Sequence, residues 1–166
     1  MSMQGITEAM EALNALYMEM LELGGQKRQL IVHNDVDGLT KVMSAENRLM
    51  KRSAELEKQR LDAVGGYLQE KKLRLPASIT MMELTRVVFN LEEKERLHRL
   101  HAELSETIGN LKEVNESNQH LIKQSLDFIE LSIDLLTGAP VDQMTYTKPN
   151  QTTIEGGRYS YFDHKA

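Results

Sequence analysis

The stretch LEEKERLHRLHAELSETIGNLKEVNESNQHLIKQSLDFIELSIDLLTGAP, residues 91–140, decides the fold. A seam with steps of three and four runs through Leu97, Leu100, Leu104, Ile108, Leu111, Asn115, Asn118, Ile122, Ser125, Ile129 and Ile133. That spacing predicts one amphipathic helix from about Leu91 to about Leu136, about 46 residues or roughly 69 Å long. Asn90 is placed as its N-cap, with Glu92 and Glu93 favourable in the first turn. Gly109-Asn110 is its one weak point, and Gly138 followed by Pro140 marks its stop. Asn115 and Asn118 fall where the stripe should carry aliphatic side chains, so they are candidate register-setting amides in the seam.

The rest of the chain repeats the pattern. Ile6, Met10, Leu13, Leu16, Met20, Leu23 and Leu30 predict a first helix from Ile6 to Leu30, with a bend possible at Gly24-Gly25. His33-Asn34-Asp35 favours a turn. Leu39, Val42 or Met43, Leu49, Met50, Leu56, Leu61, Val64 and Leu68 predict a second helix from about Val36 to Gln69, with Gly65-Gly66 as a kink or an early end. Glu46 and Arg60, close to this seam, read as rim residues with buried stems. Pro76 breaks helicity, and Thr80-Met81-Met82-Glu83 has the capping-box pattern that starts a short helix, Met81 to about Phe89. This short helix ends before Asn90 or runs straight into the next.

Helices of such length must bury their stripes against one another. The expected fold is all-α: an elongated antiparallel bundle or coiled coil of three long helices with a short linker helix. Residues 1–138 form the bundle domain, and residues 139–166, without helical period, form an irregular C-terminal tail.

Composition excludes several functions. With no cysteine there is neither a disulfide framework nor thiolate chemistry. The N-terminus lacks the pattern of a cleaved signal, and no run approaches the roughly 20 apolar residues of a membrane span, so a soluble protein is expected. A net charge of −5 argues against a general nucleic-acid binder, and Lys27-Arg28, Lys51-Arg52 and Lys71-Lys72-Leu73-Arg74 read as solvated helix surface. No P-loop, GxSxG or GxGxxG occurs, so no catalytic residue and no cofactor is assigned. Glu95, His98 and His101 give ExxH and HxxH spacings, but a di-iron bundle needs the motif twice with two further carboxylates, so no metal site is assigned.

Binding remains. A second stripe on the long helix, Val114, Leu121, Phe128, Leu131 and Leu135, makes it apolar on more than one side past Leu121. Either a bulkier bundle core or the chain's own tail covers this surface, or it docks the amphipathic helix of a client. Met18, Met20, Met43, Met50, Met81 and Met82 add adaptable apolar surface. The tail carries Tyr146, Tyr159, Tyr161 and Phe162, and RYSYFDHKA reads as a short docking segment.

The chain resembles the FlgN-type flagellar export chaperones over most of residues 6 to 136. The residues that carry the likeness are Gln26-Lys27-Arg28-Gln29-Leu30, the Asn34-Asp35 turn before Leu39, Glu46 and Leu49, Leu56-Glu57-Lys58-Gln59-Arg60, and the Asn115, Asn118, Leu121, Ile122 run. The resemblance implies an all-helical cytoplasmic protein without catalysis. Its implied clients are the two hook-associated proteins of the hook-filament junction, held before type III export and delivered to the flagellar export gate. Client binding in the family maps to the C-terminal helix and the segment after it, and by position that points to Val114, Leu121, Phe128, Leu131 and Leu135. The expected mechanism is that a disordered, amphipathic terminal segment of the client folds into an apolar groove near the end of this helix. Tyr159, Tyr161 and Phe162 of the tail then occupy the same groove when it is empty, or engage the gate. The rival reading is a structural coiled-coil adaptor that uses its stripes only to self-associate.

Overall fold

The computed structural model describes residues 3–76 and 78–138, and among them there are four helices and no strand. They are α1 (Met3–Val32), α2 (Val36–Glu70), α3 (Met81–Val87) and α4 (Leu91–Thr137). The chain divides into two compact units, Met1–Ile129 and Glu130–Ala166. The bundle lies in the first. In the second, the described residues are the last turns of α4 and Gly138, whose φ of +68° is the left-handed C-terminal cap expected of a glycine there.

Local chemistry sets the helix ends. Asn34 takes φ +54°, letting the Asp35 amide reach the Leu30 carbonyl (2.9 Å) and the Asn34 amide reach Ile31 (3.1 Å), the paired bonds of a Schellman stop. The Asp35 side chain then caps α2 by accepting from the Gly38 amide at 2.9 Å. α2 ends in the same way. Lys72 has φ +56° and the Leu73 amide donates to Leu68 at 2.9 Å, so the chain leaves the helix before it reaches Pro76, the expected breaker. Gly65-Gly66 does not end α2, which continues to Glu70. The turn beyond them is held by Tyr67 and Leu68, both buried.

The capping box at α3 is complete: the Thr80 hydroxyl accepts from the Glu83 amide (3.2 Å) and the Glu83 carboxylate accepts from the Thr80 amide (2.8 Å). These bonds hold the Glu83 carboxyl below the usual glutamate range, backbone donation contributing most. α3 stops at Val87 and does not merge with α4. Val88 is extended and buried, and Asn90 Oδ1 accepts from the Glu92 (2.9 Å) and Glu93 (3.2 Å) amides to begin α4.

Side-chain pairs fix the topology of the first unit. Lys27 meets Glu46, and a β-carbon on Gly5 would touch Ala63, so α1 and α2 are antiparallel. Glu11 meets Arg96 (2.7 Å), Asn14 meets Thr107 (2.7 Å) and Gly24 meets Asn118 (2.8 Å), so α4 runs alongside α1 in the same direction, returned there by α3. The expected three-helix bundle with a short linker helix is the observed one.

Its core is concentrated at one end. Met3, Ile6, Met10, Ala63, Val64, Tyr67, Leu68, Ile79, Leu84, Val88 and Leu97 form one buried cluster. It joins the start of α1, the end of α2, all of α3 and the start of α4. A fully buried large aliphatic side chain contributes about 1.5–3 kcal/mol, so this cluster carries most of the hydrophobic stabilisation.

Candidate functional site: the open end of the bundle

Toward the α1–α2 turn the packing changes character. At mid-height lies a polar layer. Lys27 Nζ donates to Glu46 Oε2 at 2.7 Å, with side-chain exposures of 17% and 15%. The pair opens onto a cavity of about 220 Å³ that Asn115 and Gln119 of α4 also line, with Met20, Met50 and Leu111. Glu46 is therefore an interhelical ion partner as well as a rim residue. Arg60 sits differently: its guanidinium pairs within α2 with Glu57, whose carboxyl is thereby held low, and reaches the Met81 sulfur.

Asn118, 2% exposed, donates from Nδ2 to the Gly24 carbonyl at 2.8 Å, while its Oδ1 is buried without a hydrogen-bond partner. Gly24 permits this approach. A β-carbon there would stand 2.7 Å from Cγ1 of Val114. The two amides of the seam thus do different things: Asn118 ties α4 to the α1 backbone, and Asn115 faces the Lys27–Glu46 pair. Val114, expected on the outward stripe, is half-buried against Gly24. A helix lodged between two neighbours needs both stripes at this height, one for each.

Beyond the layer, apolar side chains are plentiful and buried ones few. Among described residues of α1 past Gly24 only Ile31 is buried, and in α2 before Glu46 only Val42. Leu30, Ile31, Asn34, Asp35, Val36, Leu39, Ile122, Ser125 and Leu126 surround a cavity of about 150 Å³ between the α1–α2 turn and α4. Leu121 and Ile122 are half-buried, whereas Leu126, Phe128 (69%) and Ile129 are exposed. Ile129, expected in the buried seam, is therefore left uncovered. In the second unit Leu131, Ile133, Leu135 and Leu136 are exposed on their own stretch of helix. Tyr159, Tyr161 and Phe162 lie outside the described residues.

Sequence reasoning missed the α1–α2 side of this site, Leu30, Ile31, Val36 and Leu39. The signal was present in the apolar pair Leu30-Ile31 against a turn, but nothing local tells that α4 passes there. His98 and His101 lie with Lys94 on one face of α4, and among the described residues no three His, Asp or Glu side chains converge as metal ligands. Nor is any described helix long and apolar enough to cross a membrane.

The first unit is thus a helical bundle with one packed end and one apolar, thinly covered end. The chain belongs to the FlgN protein family, whose sequence model matches residues 1–154. This is a chaperone family of flagellum assembly and not an enzyme family, and the chain has a flagellar export chaperone role. It is similar to the uncharacterized protein YvyG of Bacillus subtilis (strain 168), at 26% identity over 168 residues covering 100% of both chains. No solved structure matches.

Proposed function

We propose that this chain acts in the cytoplasm on the hook-associated proteins of the hook-filament junction, masking a terminal amphipathic segment of each until type III export. The observation that carries the reading is the open end of the first unit, where a 150 Å³ apolar cavity adjoins exposed Leu126, Phe128 and Ile129. An amphipathic helix of the client seats one large apolar side chain in the cavity and others along Leu121 and Phe128. Leu131 and Leu135, exposed on the helical stretch of the second unit, are client-contacting residues of that unit by itself. Ordering the client segment opposes the burial, so affinity is moderate and release at the export gate is feasible. The tail, through Tyr159, Tyr161 and Phe162, guards the groove or engages the gate. Deleting residues 140–166 tightens client binding in the first case, and spares binding but abolishes export in the second.

The test is calorimetric titration of a hook-associated protein's terminal segment into the full chain. Leu126→Asp with Phe128→Asp should weaken binding by about 10- to 100-fold, the range of central apolar anchors, without changing the melting temperature. Phe89→Asp, at the other end of the unit, should leave it intact. Equal affinity for the Leu126→Asp, Phe128→Asp variant and the native chain rejects the site. If light scattering shows the same variant losing only self-association, the chain is a structural adaptor instead.

A further inference from the structure

The elbow between α3 and α4, at the packed end, carries a second feature that the client surface does not use. Met82, Thr85 and Arg86 of α3 face Lys94, His98 and His101 of α4 across a cavity of about 140 Å³. Lys94, His98 and His101 are spaced by four and three residues and so share one face of α4. Thr85 is buried and spends its hydroxyl proton on the Met81 carbonyl (2.7 Å). The lining thus offers a guanidinium, an ammonium and two imidazoles beside a methionine and a threonine methyl.

Carboxylates are missing from this cleft. The ion pairs of Lys27, Arg60, Arg96 and Lys112 all lie outside it. Glu83, the acid of α3, spends its carboxylate on the capping bonds to Thr80, and its attraction to Arg86, three residues on, is the smallest influence on it. Glu92, Glu93 and Glu95 stand roughly 100° or more around α4 from the centre of the Lys94–His98–His101 face, at about 100° per residue. In a chain of net charge −5 this is a local reversal of sign.

We propose that the α3–α4 elbow is a docking site for an acidic peptide segment of a partner protein, one carrying an apolar side chain next to its carboxylate. Arg86 accepts the carboxylate in its planar fork, Lys94 adds a point charge, and His98 and His101 complete the donors. Met82, an adaptable thioether, packs the adjoining apolar side chain. A nucleic acid fits less well, because a polyanion needs an extended basic track and would meet the acidic remainder of the surface. The site lies far from the proposed client surface: His101 and Leu126 are separated by about 37 Å of helix. A client and an acidic partner can therefore bind together.

The experiment is fluorescence anisotropy of the full-length protein with a labelled peptide alternating glutamate and leucine. Saturable binding is expected, weakened about tenfold by Arg86→Gln with Lys94→Gln, weakened by added salt, and unchanged by Leu126→Asp. His98→Gln, alone and exposed, should give a smaller loss in the same direction. Circular dichroism should show both variants folded, since the charged groups are at the surface. The proposal is overturned by absence of binding up to about 1 mM peptide. Equal binding of a glutamine-leucine peptide overturns it as well, as does displacement by inorganic phosphate or by a single-stranded oligonucleotide at lower concentration than by unlabelled peptide.

Discussion

Replacing Gly24 with alanine should destabilise the bundle although alanine is the better helix former. In an open helix the change gains about 1 kcal/mol. Here the new methyl would lie 2.7 Å from Cγ1 of Val114, a β-branched side chain whose rotamer has little freedom, so α4 must move away from α1. Overpacking of this kind costs about 1–3 kcal/mol. The displacement also stretches the 2.8 Å bond from Asn118 Nδ2 to the Gly24 carbonyl. Losing it leaves a second buried polar atom of Asn118 unsatisfied, at about 1–3 kcal/mol. The net expectation is a loss of about 3 kcal/mol, measured by urea unfolding monitored with far-UV circular dichroism. Gly25 is the built-in control, since a β-carbon there meets nothing within 4 Å. Gly25→Ala should stabilise by about 1 kcal/mol. Adding Val114→Ala to Gly24→Ala should recover part of the loss, a coupling of about 1 kcal/mol in a double-mutant cycle. If both glycine variants stabilise equally, or the cycle shows no coupling, α4 does not rest on Gly24 and the parallel α1–α4 packing is wrong.

The same polar layer and the α3 cap give three further expected outcomes. Asn118→Leu removes the unsatisfied Oδ1 together with its bonded nitrogen, and Gly24's carbonyl keeps its place in α1. Unfolding should show a change between about 0 and 2 kcal/mol in the stabilising direction, whereas Asn118→Asp, burying a charge against a carbonyl, should cost about 3 kcal/mol or more. Lys27→Met strands the Glu46 carboxylate at the polar cavity and should lower stability by about 1–2 kcal/mol; the double variant with Glu46→Leu should regain most of it. Glu83 has its carboxyl held low in the folded state, so its contribution is present above the unfolded glutamate value and is lost as pH falls through the folded one. Glu83→Gln should therefore lower stability in the neutral region and converge with the native chain as pH falls through the folded value, which flattens the acid limb; a steeper acid limb would contradict the capping geometry.

Much of the fold was legible because helix formation here is governed by local rules. The observed ends of α2 and α4 fall within a residue of those read from period and caps, and the Thr80–Glu83 box and the Asn90 cap are observed as bonds. These signals need only three or four neighbouring residues to form. α3 was read two residues too long, since Val88 leaves the helix to bury its side chain in the core. The end of α2 was read to within a residue, but the turn that makes it is at Lys72, a residue with no intrinsic preference for positive φ, ahead of the expected breaker Pro76. Leu73 packs against the core cluster there, and that contact drives the turn.

The sequence by itself determined four helical segments, their order, and an apolar excess near the end of the last, because period and capping are properties of a single segment. Tertiary structure alone decided what each stripe touches. The amides looked alike in the sequence, yet Asn118 bonds the α1 backbone and Asn115 faces an ion pair, since three residues at about 100° each leave their side chains roughly 60° apart around α4. Val114 turned inward because Gly24, ninety residues earlier, has no side chain to keep α4 away. Ile129 is left exposed because α4 runs on past the α1–α2 turn, which flanks it at Ile122–Leu126. Each of these depends on a contact between residues distant in the chain, which a period of 3.6 cannot encode.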